Sequence, residues 1–330
     1  ILGGDFGIVN YSFAPMIVTN AGEITGGMSG FYSDAVKAGA DFQTAIGSFG
    51  RLTLNNQATG VVDGGVTMGW VNNTITNAGI IYGAVDSVLN ASDNYQNGVS
   101  HYANGFFDVN NDGVFAASEA VGNLTGLTMI NSGFIYGEDG YFDGAPSLAI
   151  YASVAKDSVT NTGTIFGFVD LSFGNDTLSG AGTYLGYIQM GFGNDTATIS
   201  GRVIDFFSAT GDVGNGGGAD NDVLTVTVNG RIEHYVWMGG GNNTVTNQGT
   251  IIGFRGYYDE TQFVDYADVA FDSGNDVMTN SGRIGEFGNY SILPRDIFSV
   301  LMSPDLDMND LGKAVDMWSG NDSFVNSGIL

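Results

Sequence analysis

Cysteine is absent from this chain of 330 residues, and proline is scarce, with only four residues. The lack of cysteine excludes a disulfide framework and a zinc site of the usual Cys/His kind, so a bound metal would have to be held by oxygen atoms. The scarcity of proline, together with 53 glycines, 22 phenylalanines and 15 tyrosines, excludes collagen and proline-rich linkers. This composition favours short strands joined by regular turns.

Basic residues are also few, because nine Lys and Arg stand against 35 Asp and Glu and leave a net charge of −26. A surface this acidic repels nucleic acid and anionic membranes, so neither is an expected partner. No apolar run approaches the length of a membrane-spanning helix, so no membrane insertion is expected. The hydrophobic content of 43% is enough for a large core, which argues against disorder.

A repeat of nineteen residues runs through the sequence. Its glycine, which we call the register glycine, stands in the phrase N-x-G-x-I and recurs after 19 residues from Gly163 to Gly182, from Gly182 to Gly201 and from Gly230 to Gly249. Apolar residues follow it at the second, sixth and eighth positions, and Phe207 fills the sixth position after Gly201. This alternation indicates short strands with one buried face.

A unit of this length cannot bury its own apolar face, so neighbouring units must stack and pair their strands in parallel. The sequence therefore predicts an all-β fold, a parallel β-solenoid (β-helix or β-roll) with about eleven or twelve coils. Asn residues two positions before the register glycine are predicted to form a ladder of turn hydrogen bonds. These are Asn20, Asn77, Asn131, Asn161, Asn247, Asn280 and Asn326.

Insertions lengthen several units of what we interpret as one solenoid domain over residues 1–330. We place them at about residues 84–125, 141–156, 211–219, 254–272 and 287–316. Insertions leave a solenoid as surface loops, where specific recognition is expected. The last one contains a short helix candidate that begins at Pro294.

The corner phrase G-x-G-N-D-T places an Asp six residues before the register glycine. Glycine lets turn carbonyls converge and a stacked Asp adds charge, so the corners predict calcium sites between neighbouring coils. Only six of the 35 acidic residues are Glu, and this excess of Asp favours calcium. The predicted corner ligands are Gly174, Asp176, Gly193, Asp195, Asp276 and Asp322.

Three corners depart from this pattern. Asn73 and Asn243 replace the Asp, and the unit of Asp222 is two residues longer before Gly230. We therefore expect an interrupted row of calcium sites. The alternative interpretation is that Asn-Asp makes a tight turn without metal.

The GND corners resemble the RTX family of calcium-binding β-rolls, especially its nineteen-residue variant found in bacterial ice-binding adhesins. This resemblance covers residues from about 160 to 250 well and the remainder loosely. It implies calcium between stacked coils. The phrase VTNxGTIxG also resembles autotransporter and S-layer-like surface repeats, and autotransporter repeats usually bind no calcium.

A second calcium motif lies in the first long insertion, where D-x-N-x-D-G-x5-E matches the calcium loop of an EF-hand throughout. Three side chains, one carbonyl and a bidentate Glu would ligate the ion, and a water molecule would fill the position of Ala116. The predicted ligands are Asp108, Asn110, Asp112, Val114 and Glu119. A solvated acidic turn is the alternative.

Catalytic signals are weak. His101 and His234 are the only histidines, and no GxSxG motif is present. Three Arg share the position after the register glycine: Arg202, Arg231 and Arg283. A polysaccharide-active β-helix enzyme could use such a row to bind its substrate. However, Glu233 and Glu286 lie close enough in sequence to neutralise two of these arginines. We expect no enzyme and keep polysaccharide chemistry as an alternative.

Ice binding is a further alternative, because T-x-T pairs place hydroxyls on one strand face. The pairs are Thr74/Thr76, Thr196/Thr198, Thr225/Thr227 and Thr244/Thr246. Against it, Phe173 and Phe192 stand where the ice-binding variant has Thr, and insertions are expected to break the flat face.

The best-supported expectation is a structural protein that is secreted or lies on a bacterial cell surface, stiffened by Ca²⁺. An S-layer, an adhesin or a filament subunit would fit. Residues 324–330 reproduce the opening of another coil, so self-association in a filament or lattice, or continuation into further repeats, is expected. Surface glycans are a further expected partner.

Overall fold

A computed structural model describes residues 7–10, 14–26, 44–48, 51–68, 72–86, 102–103, 106–107, 125–137, 148–152, 155–207, 220–252, 258–259, 262–263, 268–285 and 314–330. All regular secondary structure in these ranges is strand. Within them, no helix is long and apolar enough to cross a membrane. The predicted helix at Pro294 and the predicted loop from Asp108 to Glu119 lie outside the described residues.

Equivalent strands of successive coils pair in parallel and form three rows along a rod. Row one is a sheet of eleven strands. Its members are β2 (Met16–Asn20), β5 (Leu52–Asn56), β8 (Asn73–Asn77), β13 (Thr125–Asn131), β16 (Lys156–Asn161), β19 (Thr177–Gly180), β21 (Thr196–Ile199), β23 (Val223–Val226), β26 (Thr244–Asn247), β31 (Val277–Asn280) and β34 (Ser323–Asn326).

Row two follows the turn that contains the register glycine of each coil. It consists of β3 (Glu23–Thr25), β6 (Val61–Asp63), β9 (Ile80–Tyr82), β14 (Phe134–Tyr136), β17 (Thr164–Phe166), the first part of β20 (Thr183–Gln189) and of β22 (Arg202–Phe207), β24 (Arg231–Ile232), β27 (Thr250–Ile251) and β32 (Arg283–Ile284).

Row three precedes the GND corner. It consists of β1 (Ile8–Asn10), β4 (Thr44–Ser48), β7 (Gly65–Met68), β10 (Val85–Asp86), β15 (Leu148–Tyr151), β18 (Phe168–Asp170), the second part of β20 and of β22, β25 (Val236–Trp237), β30 (Val269–Ser273) and β33 (Val315–Ser319). Because β20 and β22 run through both rows, rows two and three form one 19-stranded sheet. The parallel β-solenoid predicted from the nineteen-residue repeat is confirmed.

The core fills the space between the rows with one or more apolar side chains from most strands of the rod. In row one, Leu54 pairs with Ile75, which pairs with Met129, and all three side chains are buried. Each such side chain contributes about 1.5–3 kcal/mol by leaving water. Stacked apolar positions therefore hold successive coils in one register.

One predicted core position is wrong. Phe206, not Phe207, pairs with Ile188, and Phe207 pairs with Gln189. The register shifts between Tyr184 and Tyr187, where β20 has one more residue than β22. The bend between rows two and three thus differs in length from coil to coil, which a fixed spacing from the register glycine does not capture.

The rod includes parts of the segments that the sequence assigned to insertions, because β10, β15, β30 and β33 pair within row three. Two antiparallel hairpins also lie in these segments, β11 (Tyr102–Ala103) with β12 (Phe106–Phe107) and β28 (Tyr258–Asp259) with β29 (Gln262–Phe263). In every coil the connection from row one to row two is a short turn. The strands of row one therefore pair without interruption over eleven coils of the described residues.

Candidate functional site

The corners align in a row of acidic and amide side chains that occupies the first inward position of row one. Its members, the aspartate row, are Asn73, Asp157, Asp176, Asp195, Asp222, Asn243, Asp276 and Asp322. In each step, Oδ1 accepts a hydrogen bond from the backbone N–H of the equivalent residue in the preceding coil. The distances are 2.7 Å from Asp157 to Asp176, 2.7 Å from Asp176 to Asp195 and 2.8 Å from Asp195 to Asp222.

The same bond continues to the end of the row, with 2.9 Å from Asp222 to Asn243, 2.8 Å from Asn243 to Asp276 and 3.0 Å from Asp276 to Asp322. The structure therefore brings together the predicted ligands Asp176 and Asp195, and also Asp276 and Asp322, as neighbours in adjacent coils. Each carboxyl uses one oxygen to bind backbone, which leaves the other oxygen for a different partner.

That second oxygen is buried in three members of the row. Asp176, Asp195 and Asp276 expose 1%, 2% and 1% of their surface, and Oδ2 of each has no hydrogen-bond partner. A buried charged oxygen without a donor or a cation costs several kcal/mol. The row therefore requires a proton or a positive ion at these atoms.

The pKa values report the same requirement. Burial, opposed by the N–H of Asp176 and reinforced by the nearby carboxyl of Asp222, raises the pKa of Asp195 to about 8. Burial and the charges of Asp157 and Asp195 raise the pKa of Asp176 well above its usual range. Burial likewise raises the pKa of Asp276, and it raises that of Asp170 to about 6.

Asn243 shows what surrounds the second side-chain atom of this row. Its Nδ2 donates to the carbonyl oxygens of Gly239 and Gly240, at 3.2 and 3.3 Å. A carboxylate oxygen in the place of this amide would meet two acceptors. Such an all-oxygen environment suits either a protonated carboxyl, which donates like the amide, or a hard cation.

The corner glycines allow this close stacking. Gly174 and Gly193 have φ of 144° and 131°, a region that favours glycine. A Cβ at Gly193 would lie 1.5 Å from the carbonyl oxygen of Gly174, so this oxygen packs directly against the Cα of Gly193. The two predicted glycine ligands are therefore neighbours along the rod axis.

Acidic side chains alone do not complete a metal site here. Within the part of the chain that the structure describes, no group of three or more His, Cys, Asp or Glu side chains is arranged to hold a metal ion. A cation at the aspartate row would take one or two carboxylates and complete its shell with backbone carbonyls and water, as calcium commonly does. The oxygen-only surroundings fit such an ion.

Two aspartates of the row, Asp157 and Asp222, were not among the predicted ligands. Asp157 lacks the Asn that directly precedes the other aspartates of the row, but it stands six residues before Gly163, and that spacing was an available signal. The longer unit does not displace Asp222 from the row, because a turn in which Gly230 N–H donates to Thr227 O, at 2.8 Å, takes up the two extra residues. Asp222 therefore keeps its place beside Asp195.

The Asn of each GND corner forms a second, exposed row, in which Oδ1 accepts from the backbone N–H of the following coil. The distances are 2.8 Å from Asn194 to Asn175, 2.8 Å from Asn221 to Asn194 and 2.9 Å from Asn242 to Asn221. In one corner, the Asp side chain thus binds the preceding coil and the Asn side chain binds the following coil. The Asn-Asp dipeptide therefore links each coil to both of its neighbours.

The predicted Asn ladder is confirmed as a chain of side-chain hydrogen bonds. Nδ2 of Asn77 donates to Oδ1 of Asn131, and Nδ2 of Asn131 donates to Oδ1 of Asn161, each at 2.8 Å. Asn56 also belongs to the ladder, with its Nδ2 2.8 Å from Oδ1 of Asn77. It was missed because it stands four residues before Gly60 instead of two.

Row one presents an outer surface, the threonine face, that consists of two ranks of outward residues along the rod. The first rank is Ile17, Thr53, Thr74, Thr128, Ser158, Thr177, Thr196, Val223, Thr244, Val277 and Ser323. The second rank is Thr19, Asn55, Thr76, Ile130, Thr160, Ser179, Thr198, Thr225, Thr246, Thr279 and Val325.

Neither rank of the threonine face contains a charged residue, and Lys156 lies in the neighbouring position beside the corner. Three predicted T-x-T pairs lie within the face, which extends over all eleven strands. The fourth is only half correct, because Thr227 belongs to the turn after β23, and Val223 takes the first-rank position of that coil. The aromatic residues Phe173 and Phe192 stack at 4.9 Å beside the corner.

The arginine rank is partly neutralised, as expected. Glu233 forms ion pairs with Arg202, at 2.5 Å, and with Arg231, at 3.0 Å. All three side chains lie on the outer side of row two. Glu286 and His101 lie outside the described residues.

The chain matches no protein-family model, no curated protein and no solved structure. The class that the fold defines is the parallel β-solenoid, and the likeness of the corners to RTX repeats remains a resemblance.

Proposed function

We propose that this chain is a structural rod of a secreted or surface-bound bacterial protein, such as an S-layer, adhesin or filament subunit, and that Ca²⁺ stiffens it. The observation that carries the proposal is the set of buried, unpartnered Oδ2 atoms at Asp176, Asp195 and Asp276. Calcium is plentiful outside the cell, and it neutralises carboxylates while accepting carbonyl oxygens as further ligands.

The aspartate row supplies the mechanism. Without a cation, Asp176 and Asp195 in adjacent coils either repel one another as carboxylates or must take up protons, and proton uptake near neutral pH costs free energy because an unfolded Asp is ionised there. With a cation, their carboxylates are held together, and binding free energy becomes folding free energy. The rod is then firm in a calcium-rich medium and looser where calcium is scarce. The insertions would carry contacts to surface glycans or other partners.

Calorimetric titration of the full chain with CaCl2 tests this proposal. We expect binding that the Asp176→Asn/Asp195→Asn variant loses in part and that MgCl2 does not reproduce, since magnesium demands a tighter octahedral shell. The Asn175→Asp/Asn194→Asp variant, which adds carboxyls one residue away on the exposed row, is the control for net charge. Absence of calcium binding to the unmodified chain would contradict the proposal, as would equal binding by the Asp176→Asn/Asp195→Asn variant. Labelling of intact cells tests the surface location.

Ice binding is the second candidate, and one observation favours it: the two ranks of the threonine face are free of charge and continuous over eleven strands. Regular ranks of hydroxyl and methyl groups can order water on such a surface. Partition of the full chain into slowly growing ice tests this candidate, with the Thr198→Glu/Thr225→Glu variant as a comparison. Exclusion of the unmodified chain from ice would remove this function.

A further inference from the structure

We infer that the threonine face is the surface through which two copies of this chain associate side by side. The inference rests on the proposed structural function and names the partner in it, a second copy of this chain. Three features of the described residues carry it: the distribution of charge, the exposed apolar residues and the size of the face.

Charge restricts where two copies can meet. A chain with a net charge of −26 repels its own copies over most of its surface. Rows two and three carry acidic residues at outward positions, among them Glu23, Asp63 and Asp316. Both outward ranks of row one lack charge on all eleven strands. The threonine face is therefore where two rods approach with the least repulsion.

Exposed apolar side chains are present on the same face. Ile130, Val223 and Val277 replace hydroxyl residues on strands that have a neighbouring strand on both sides, and they expose 49%, 40% and 42% of their surface. They are neighbours of threonines whose methyl groups add to the apolar area. Such a surface is easily desolvated, whereas irregular branched residues within the ranks would disturb a match to an ice lattice. The pattern favours a protein partner.

The size of the face suits a stable dimer. Eleven strands spaced about 4.8 Å apart give a length of about 50 Å, and the strand width is about 15 Å, so one face covers roughly 750 Å². Specific interfaces bury about 800 Å² on each partner. Two such sheets pack face to face at about 10 Å, and a twofold axis would pair the same surface on both copies.

Sedimentation velocity of the full chain, from about 1 to about 100 µM, tests the inference. The Thr198→Glu/Thr225→Glu variant places two carboxylates on adjacent coils in the middle of the face. The matched Thr164→Glu/Thr183→Glu variant places the same charges on adjacent coils of row two. We expect a dimer for the unmodified chain and the row-two variant, and a dimer Kd raised at least about tenfold for the variant of the face.

Thermal unfolding of both variants shows whether they fold. If the variant of the face does not fold, Thr198→Ser/Thr225→Ser, which adds no charge, is measured in its place. If the Ser variant also fails to fold, single Thr198→Glu is measured instead. The inference is overturned if the unmodified chain stays monomeric over the whole concentration range, or if the variant of the face dimerises as tightly as the unmodified chain. Adsorption to ice by a chain that stays monomeric would also overturn it.

Runs with and without calcium separate the two proposals. A chain that dimerises but binds no calcium contradicts only the calcium-stiffened rod, and a monomer that binds calcium contradicts only the dimer.

Discussion

The backbone N–H of Asp176 donates to Oδ1 of Asp195 across 2.7 Å, while Oδ2 of both carboxyls is buried without a partner. One side-chain oxygen thus binds the coils together, and the other imposes a cost that a proton or a cation must remove. The aspartate row joins stacking and cation dependence in the same residues. Asn243 occupies the same row, and its side-chain amide supplies the hydrogen-bond donor that the aspartates lack. Exchanging Asp and Asn in this row therefore measures how much the buried charge contributes to stability.

Asn243→Asp should destabilise the rod when calcium is removed. The change replaces an amide that donates to Gly239 and Gly240 with a carboxyl between Asp222 and Asp276. We expect a loss of about 2–4 kcal/mol in the free energy of unfolding, measured by urea denaturation in EGTA. Calcium should restore part of this loss.

The control for this substitution is Asn242→Asp, which adds the same charge at an exposed neighbour of Asn243. Because water solvates that carboxylate, we expect a change below about 1 kcal/mol. Equal effects at the two positions would show that net charge, and not the buried oxygen, governs stability.

Stability without calcium should fall as the pH rises. Asp195 has a folded pKa of about 8 and an ordinary value near 3.9 when unfolded, so the folded chain binds more protons between these values. The contribution of Asp195 is complete below about pH 4, declines between pH 4 and 8, and is gone above its folded pKa. Asp170, with a pKa of about 6, adds to the lower part of this window.

Urea denaturation in EGTA at a series of pH values measures this decline, which we expect to be on the order of a few kcal/mol. Calcium binds the ionised carboxyls, so its presence should flatten or reverse the slope. A flat profile in EGTA would show that the buried carboxyls titrate normally.

Asn131→Ala should be more damaging than most surface substitutions. The side chain of Asn131 accepts from Asn77 and donates to Asn161, so its removal leaves both buried amides with one partner fewer. We expect a loss of about 2–4 kcal/mol by urea denaturation. Asn229→Ala, in an exposed turn, is the control and should change stability by less than about 0.5 kcal/mol. A similar small effect at Asn131 would mean that the ladder contributes little.

Glu119→Gln should remove one calcium site that is independent of the rod. The loop from Asp108 to Glu119 matches a calcium loop in sequence, and its bidentate Glu is the ligand most sensitive to loss of charge. We expect calorimetry to report one site fewer and the stability of the rod in EGTA to stay unchanged. Asp108→Asn should weaken the same site, and unaltered stoichiometry in both variants would refute it.

The repeat predicted the fold well because the inward positions of parallel strands must stack, and stacking preserves their spacing. Leu54, Ile75 and Met129 show this, since they share one ladder although unequal stretches of chain separate them. Turns are under no such constraint. Asn56 and Asp222 precede turns that are two residues longer, so counting back from the register glycine missed the first and wrongly removed the second.

The candidate site could be predicted only in outline. The GND phrase revealed that Asp176 and Asp195 stack, because glycine and Asp mark the corner. It did not reveal that Oδ1 binds backbone, since the inward or outward direction of a corner residue depends on how the strand begins. The threonine face was underestimated for a related reason. Where insertions leave the rod is decided by the turn that accepts them, and the ladder residues Asn77, Asn131 and Asn161 stand at short turns between rows one and two.

Thermal unfolding of the full chain in excess calcium and in excess EGTA measures whether a cation at the aspartate row stabilises the rod. We expect the Tm to be at least about 5 °C higher in calcium, because the cation binds only the folded aspartate row. For Asp176→Asn/Asp195→Asn we expect a higher Tm in EGTA than that of the unmodified chain and a smaller gain from calcium, since amides supply the missing donors. An unchanged Tm of the unmodified chain on transfer from calcium to EGTA would contradict the account.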